Sequence, residues 1–381
     1  GICEVSDFML VDEERHAHTL VRRAKSVRGE IKFRVCFDPR FDYGRSGYKL
    51  QRGDKELYFI PEAFGLPTIR LRSEILLQET GESGVMGEFT LNAGETLAFV
   101  MEEAKPHEIS PVGKPDFVSD AFKQTLNFWQ KWVGQSTYQG RWREMVNRSA
   151  LVLKLLTSKK YGSMVAAPTF GIPEEIGGIR NWDYRYTWIR DASFSLYSLM
   201  RLGYMDESRD FMHWIEDRCG DLNPDGSLQI MYAIDGHKVL KEEILTHLDG
   251  YMGSKPVRVG NGAYNQLQLD IYGELMDSVY IYNKYGEPIS IDLWENLTRL
   301  IDWVCNNWQK QDEGIWEVRS GKQEFLYSRL MCWVAIDRGI RLAQKRSFPA
   351  PLDKWYRIRD TIYHEIVKEF WNPNVKAFVQ Y

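Results

Sequence analysis

Residues 173–193 read PEEIGGIRNWDYRYTWIRDAS, and this segment says more about the chain than any other. Between Arg180 and Asp191, tryptophan and tyrosine rings stand among arginines and aspartates. Aromatic faces stack on sugar rings, and Arg and Asp side chains bind hydroxyl groups through charge-assisted hydrogen bonds. The mixture is typical of the wall of a carbohydrate pocket. The alternative is an aromatic-rich helix entry whose arginines pair with neighbouring acids, and composition alone favours that alternative.

The order of the residues favours the pocket, because RNWDYRYTWIRDAS at 180–193 resembles the signature of the glucoamylase/trehalase family, glycoside hydrolase family 15. In that family the matching Arg-Asp pair binds hydroxyls of the glucose unit on the non-reducing side of the cleaved bond. The resemblance makes Arg190 and Asp191 candidate substrate ligands, although an Asp at a helix start can also cap free N–H groups. The other matching positions imply the pocket wall: Trp182, Asp183, Tyr184, Arg185, Tyr186 and Trp188.

Length and composition indicate a globular protein with room for two domains. The chain has 381 residues, of which 44% are hydrophobic and 27% charged. Its net charge of −4 does not favour a nucleic-acid partner. No apolar run approaches the ~18 residues that span a bilayer, so no membrane partner is predicted. The 13 Trp and 20 Tyr residues are many for this length, and most of these rings are expected in the core.

Cysteine usage points to a reducing compartment. The five cysteines are odd in number and scattered without CxxC spacing. We therefore expect buried free thiols rather than a disulfide framework. No basic-then-apolar segment opens the printed sequence, and the expectation is a cytoplasmic protein. The cysteines are Cys3, Cys36, Cys219, Cys305 and Cys332.

The first part of the chain has the period of β-strands. Over 30–38, Ile31, Phe33, Val35 and Phe37 alternate with Lys32, Arg34 and Cys36, which is typical of a half-buried strand. The pattern predicts an antiparallel β-sandwich domain at 1–115, followed by a linker helix within 116–140. Further strands are predicted near 4–9, 20–25, 69–77, 84–91 and 96–101.

After residue 115 the apolar period becomes helical. In the linker helix, Phe122, Leu126, Trp129 and Val133 share one predicted face, and a longer stripe runs from Leu293 through Leu297, Leu300 and Val304 to Trp308. Helices are predicted at 141–157, 190–203, 206–219, 262–281, 290–309, 323–344 and 353–370. The resemblance implies that the domain at 141–381 is an (α/α)6 barrel of twelve helices with its active site at one end. Seven helices predict only the first half to two-thirds of that barrel, so we expect a fragment cut at both ends, with a partial sandwich.

A second candidate segment is Gly314-Ile315-Trp316-Glu317, which precedes the helix predicted from residue 323. A lone Glu in a loop is usually a solvated surface charge. Here the apolar body of Trp316 can shield the carboxyl from water and favour its protonated form, as a general acid requires. In the family, the Glu that follows this Trp protonates the glycosidic oxygen. The resemblance makes Glu317 the candidate catalytic acid and Trp316 a candidate pocket residue.

The segment 245–261 resembles a family loop at the pocket mouth. His247, Tyr251, Arg258 and Asn261 are possible ligands there, and ordinary capping of a glycine-rich helix entry is an equal alternative for each. Gly260-x-Gly262 lacks the wider GxGxxG pattern and a preceding strand, so a nucleotide site is not predicted. The histidines show no close metal-ligand spacing. No metal and no cofactor are therefore expected, since general acid and base carboxyls suffice for glycoside hydrolysis.

The resemblance implies an inverting mechanism with two carboxyl groups. Its second Glu, the base, is expected beyond Tyr381. The first hypothesis is an exo-acting α-glucosidase of glucoamylase type, acting on α-glucans or maltooligosaccharides. The alternative is an α,α-trehalase acting on trehalose. A disaccharide phosphorylase and a non-catalytic carbohydrate-binding remnant are further alternatives, and the pattern leaves the oligomeric state open.

Overall fold

The computed structural model describes residues 1–11, 18–81, 84–104, 111–317 and 321–381. Two compact units divide the chain, Gly1–Gly134 and Gln135–Tyr381. Strands dominate the first unit and helices the second. Within these ranges, no helix is both long and apolar enough to cross a membrane.

The first unit contains two antiparallel sheets. Its strands are β1 (Ile2–Met9), β2 (Thr19–Arg28), β3 (Ile31–Phe37), β4 (Tyr48–Arg52), β5 (Glu56–Pro61), β6 (Thr68–Ser73), β7 (Gln78–Glu79), β8 (Val85–Leu91) and β9 (Thr96–Ala104). The larger sheet has the order β1-β2-β9-β6-β5-β4 and the smaller one β3-β8-β7. All neighbouring strands run antiparallel. Strands β4 and β5 and the two-residue strand β7 are additions to the predicted set.

The two sheets share one apolar core. The alternation predicted over 30–38 is confirmed, because successive residues of β3 are half-buried and exposed in turn. Phe37 of β3 lies 5.0 Å from Phe59 of β5, centroid to centroid. Phe89 of β8 lies 5.8 Å from Phe99 of β9. These ring contacts join the smaller sheet to the larger one, which is the arrangement of an antiparallel sandwich.

Helix α1 (Phe117–Val133) follows the strands, and its buried face differs from the predicted stripe. Leu126, expected inside, is 45% exposed, while Ala121, Thr125 and Trp132 are buried. A polar residue can face inward here because the Thr125 hydroxyl accepts a hydrogen bond of 3.3 Å from the backbone N–H of Val11. The prediction weighed only apolar side chains and missed this hydroxyl.

The expectation of buried thiols is wrong for two cysteines. Cys3 and Cys36 are exposed, since they occupy solvent-facing positions of β1 and β3. Cys219, Cys305 and Cys332 are buried, and all five thiols are free.

The second unit is built from seven helices in the described ranges. They are α2 (Arg143–Leu155), α3 (Ile189–Leu202), α4 (Met205–Gly220), α5 (Asp270–Tyr285), α6 (Ile291–Asn307), α7 (Leu326–Arg346) and α8 (Leu352–Glu369). The stripe predicted from Leu293 to Trp308 is confirmed, because all five side chains are buried. The helix predicted from residue 262 begins instead at Asp270. Residues Gly262–Asn265 form a separate 3-10 turn, capped by Asn261, whose side chain accepts from the N–H of Ala263.

Short two-residue ladders connect the loops of this unit. They are β10 (Thr187–Trp188) with β11 (Met231–Tyr232), β12 (Glu243–Ile244) with β13 (Arg258–Val259), and β14 (Trp371–Asn372) with β15 (Ala377–Phe378).

The helices of the second unit pack side by side, several of them with the next helix but one along the chain. Helix α5 lies between α3 and α7, while α4 packs on α6 and α7 on α8. The backbones of α5 and α7 approach closely at Gly273, where a Cβ atom would lie 2.3 Å from the carbonyl oxygen of Met331. The starts of α3, α5 and α7 meet: Arg190 contacts Asp270, and Asp312 contacts both Leu269 and Ser328. The loops that precede these helices therefore gather at one place.

Candidate active site

The signature segment is extended before it becomes helical. Tyr184 exchanges backbone hydrogen bonds with Ala167 and Thr169, at 2.9 and 3.3 Å. Trp188 then pairs with Met231 in the β10–β11 ladder, and α3 begins at the next residue. These bonds fix the direction of each side chain, because alternate residues of an extended segment point to opposite sides.

The segment lines a cavity of about 970 Å³ in the second unit. Seven residues predicted from the two motifs line it: Trp182, Tyr184, Trp188, Arg190, Asp191, Trp316 and Glu317. Residues that were not predicted also line it: Ala166, Glu174, Arg180, Phe194, Ala263 and Ile315. Asn261, one of the possible mouth ligands, lines it as well.

The Glu317 carboxylate lies at the cavity wall and is held from the signature segment. Its Oε1 accepts a 2.7 Å hydrogen bond from Nε1 of Trp188 and lies 4.0 Å from Nη2 of Arg190. The side chain keeps 28% of its surface exposed. Trp316 was expected to shield this carboxyl, but Trp316 is 77% exposed. Trp188, from a distant part of the chain, makes the contact instead.

The backbone at Glu317 is in the left-handed region, with φ of +52°. Non-glycine residues adopt this region at a cost, and such residues cluster at functional sites. The turn is closed by a 3.2 Å bond from the Glu317 N–H to the Gly314 carbonyl. The base of the loop is fixed by paired backbone bonds between Asp312 and Gln323, both 3.0 Å. The Glu317 carboxyl group is thus presented by an anchored turn.

Arg190 is buried, with 7% of its side chain exposed, at the start of α3. Its Nη1 donates to Gln268 Oε1 at 2.8 Å and to Asp270 Oδ2 at 3.1 Å. Its Nε lies 3.5 Å from Asp191 Oδ2. Asp191 is half exposed and faces the cavity. It is the third residue of α3, and its carboxylate pairs with Arg190.

Tyr184 lies near two acids of the cavity wall, Glu174 and Glu317. Its ring lies 6.2 Å from that of Trp188, and its hydroxyl donates to Glu174 at 3.4 Å. Burial raises the pKa of Tyr184, and the Glu174 and Glu317 carboxylates raise it further. The hydroxyl therefore stays protonated and keeps its proton for the hydrogen bond to Glu174.

Two predicted ligands lie behind the wall instead of on it. Asp183 is buried and its carboxylate accepts hydrogen bonds from Arg185, Tyr186 and the backbone N–H of Gly260. Arg258 stacks 4.7 Å from the ring centroid of Trp182. Neither residue lines the cavity.

Arg258 is also held on its outer side. Its Nε pairs with Glu242 at 3.1 Å and its Nη1 donates to the Ile179 carbonyl at 2.9 Å. Asp183 and Arg258 therefore hold neighbouring side chains in place, Asp183 through Tyr186 and Arg258 through Trp182. His247 and Tyr251, the other mouth candidates, are not among the lining residues.

The missed residues carried weak sequence signals. Glu174 and Arg180 stand in the segment quoted first, yet single charges in a loop are usually solvated. Gln268 and Asp270 sit in a run without any motif, and only their contacts with Arg190 reveal them. Among the described residues, no group of three or more His, Cys, Asp or Glu side chains is arranged to hold a metal ion.

An aromatic-walled cavity that combines an Arg-Asp pair with a fixed carboxyl group is the kind of site that glycoside hydrolases use. Comparison with known proteins agrees with this class. Residues 140–381 match Glycosyl hydrolases family 15, and the chain belongs to that family.

Curated relatives are named trehalases. The trehalase of Mycobacterium tuberculosis is 36% identical over 358 residues, which cover 92% of this chain and 52% of the relative. That of Thermoplasma acidophilum is 32% identical over 360 residues, covering 94% of this chain and 60% of the relative. The chain thus spans somewhat more than half the length of these relatives.

A solved bacterial glucoamylase, in complex with acarbose, has a similar fold. Its TM-score is 0.67 with 12% identity, and the match covers 97% of this chain and 55% of that one. At this identity the likeness concerns the fold alone. It confirms the predicted class, an antiparallel sandwich followed by helices of the (α/α)6 type.

Proposed function

We propose that the protein containing this chain is an α,α-trehalase, in which Glu317 is the general acid. The observation that carries the proposal is the Glu317 carboxyl group, held at the cavity by Trp188 and Arg190. The trehalase names of the relatives favour this alternative over the glucoamylase type that came first from the sequence.

In the proposed mechanism, Arg190 and Asp191 bind hydroxyls of one glucose unit while the rings of Trp182, Tyr184 and Trp188 bound its pocket. Glu317 gives its proton to the oxygen between the two sugars, and the bond from that oxygen to C1 breaks. A water forms the new bond to C1 from the opposite face and loses a proton to a base. Inverting enzymes keep acid and base roughly 6.5–9.5 Å apart, and we assign the base to none of the described carboxylates.

The test compares glucose release from trehalose, maltose and maltotriose by the full-length protein. Inversion at one C1 of trehalose yields equal initial amounts of α- and β-glucose, which NMR resolves. We expect trehalose to be the preferred substrate. Faster release from maltotriose would support the glucoamylase type instead, and strict dependence on phosphate would indicate a phosphorylase.

The variant Glu317→Gln tests the acid. Gln keeps the hydrogen-bond acceptor for Trp188 but cannot donate a proton as an acid does, so hydrolysis should fall by about 10²–10⁴-fold. Sugar binding should persist. Glu175→Gln is the matched control, since Glu175 is exposed and does not line the cavity. Undiminished hydrolysis by the Glu317 variant would remove this residue from the acid role.

We also propose the domain limits 1–115, 116–140 and 141–381 and a cytoplasmic location for the protein. The cavity residues are proposed to bind the substrate.

A further inference from the structure

Behind the cavity wall lies a buried ion pair that no sequence pattern indicated. Arg190 is 7% exposed and Asp270, at the start of α5, is fully buried, with Nη1 and Oδ2 3.1 Å apart. Gln268, also fully buried, accepts from the same nitrogen at 2.8 Å. Neither Gln268 nor Asp270 lines the cavity, so both would act on a ligand only through Arg190.

The pair is exclusive on the carboxylate side. Among the described residues, Arg190 is the single cation paired with Asp270, and Asp270 Oδ1 has no hydrogen-bond partner. Arg190, in contrast, has further contacts on its cavity side, with Asp191 and Glu317. A buried carboxylate with one cationic partner holds that partner strongly, because separation would leave a charge uncompensated in the protein interior.

The same short segment also holds the loop of the acid. Leu267 and Glu313 exchange two bonds: the Glu313 N–H donates to the Leu267 carbonyl at 3.0 Å, and the Leu267 N–H donates to Glu313 Oε2 at 2.9 Å. Leu269 donates its N–H to Asp312 at 2.8 Å. Residues 267–270 therefore touch both Arg190 and the loop that carries Glu317.

We infer that Asp270, assisted by Gln268, is a positioning residue that fixes the Arg190 guanidinium for binding a glucose hydroxyl. The inference rests on the proposed role of Arg190 in that site. Asp270 forms no bond to the sugar. It removes the other orientations of a long side chain, so the entropic cost of ordering Arg190 is met on folding instead of on binding.

The experiment uses Asp270→Asn in the full-length protein, with D-glucose affinity read from tryptophan fluorescence and with trehalose kinetics. The loss of a charge-assisted bond should weaken glucose binding and kcat/KM by about tenfold or more. Gln268→Met, which keeps the length but removes the acceptor, should act in the same direction. If the Asp270 variant does not fold, Gln268→Met alone tests the inference.

Asp337→Asn is the matched control. Asp337 is likewise a buried, ion-paired acid, bonded to Arg338 and Arg341 on α7, and it does not line the cavity. Its loss should lower the Tm without changing glucose affinity. Unchanged affinity in both Asp270→Asn and Gln268→Met would overturn the inference.

A double-mutant cycle with Arg190→Ala separates positioning from general support. Once the guanidinium is absent, Asp270→Asn should cause no further loss of kcat/KM and should recover part of the Tm, because it neutralises a carboxylate without a partner. Equal losses in both backgrounds would show that Asp270 acts independently. The same cycle read by Tm needs no substrate, so it tests the pairing of Asp270 with Arg190 even if trehalose is not hydrolysed. Failure to hydrolyse trehalose would count against the proposed function alone.

Discussion

At the residue scale, the bond between Trp188 and Glu317 joins the two motifs found in the sequence. The two residues are 129 positions apart. The indole N–H supplies one donor at a fixed angle, and the ring is 5% exposed, so the donor cannot move away. This bond fixes where the Glu317 carboxyl group points relative to Arg190 and Asp191.

We therefore expect Trp188→Phe to lower kcat more than it raises KM. Phe keeps an aromatic wall but has no N–H, and a hydrogen bond to the uncharged carboxyl group of a general acid is worth about 0.5–1.5 kcal/mol, or roughly two- to tenfold in rate. Steady-state kinetics on trehalose give the two constants.

Trp214→Phe is the matched control, because Trp214 is 4% exposed and its Nε1 has no partner among the described residues. The Trp214→Phe variant loses the same ring volume and the same N–H group as the Trp188→Phe variant. Equal losses of kcat in the two variants would assign the effect to ring volume and not to the bond with Glu317.

A second residue-scale feature is Glu274 on α5, one turn beyond Asp270. Burial raises the pKa of Glu274 from an ordinary 4.5 to about 7, a rise opposed by the hydrogen bond from the Tyr327 hydroxyl and supported by Asp270. The folded state thus holds this proton more tightly than the unfolded chain does. The free energy of unfolding should fall as the pH rises from about 4.5 to about 7.

The variant Glu274→Gln should remove this dependence, since an amide does not titrate there. Relative to wild type, its free energy of unfolding should gain up to roughly 3 kcal/mol between pH 5 and pH 8. Urea unfolding at both pH values measures the change. Parallel pH profiles for the two proteins would contradict the prediction.

At the element scale, the close approach of α5 and α7 depends on Gly273. A methyl group there would meet the carbonyl of Met331 at 2.3 Å, and backbone cannot yield as a side-chain end does. Gly273→Ala should lower the free energy of unfolding by about 1–3 kcal/mol, the usual cost of overpacking.

Gly220→Ala, on α4, is its control. There the nearest atom to an added Cβ is 3.9 Å away, so Ala should raise the free energy of unfolding by up to about 1 kcal/mol through helix propensity. The same urea titration reads both variants. An unchanged free energy of unfolding in Gly273→Ala would mean that α5 and α7 can move apart without loss of stability.

The helices also show where apolar periodicity suffices. In α6 every residue of the predicted stripe is buried, because the helix packs on α4, α5 and α7 and has apolar neighbours on its inner side. In α1 the buried face differs from the predicted stripe. Thr125 is buried because its hydroxyl accepts a hydrogen bond from a backbone N–H, and Leu126 beside it is exposed. Periodicity identifies a helix more securely than it identifies the buried face.

At the scale of the whole molecule, the order of a sandwich followed by helices follows from the change of apolar period after residue 115. Strand β3 and helix α6 each contain enough repeats of the apolar period to be predicted from their own residues. The short strands β10 to β15 have no such repeat, since two residues cannot show a period. They form where segments outside the helices pair their backbones.

The sequence by itself therefore determined the fold class and the signature at 180–193, and it predicted Glu317 as the acid, because each depends on residues close together along the chain. Tertiary structure alone decided which side chains meet. It buried Asp183 behind the wall, left Trp316 exposed and set Trp188 against Glu317. It also brought Asp270 to Arg190, 80 positions away. Such contacts depend on how α3, α5 and α7 pack, and packing is a property of all the helices together.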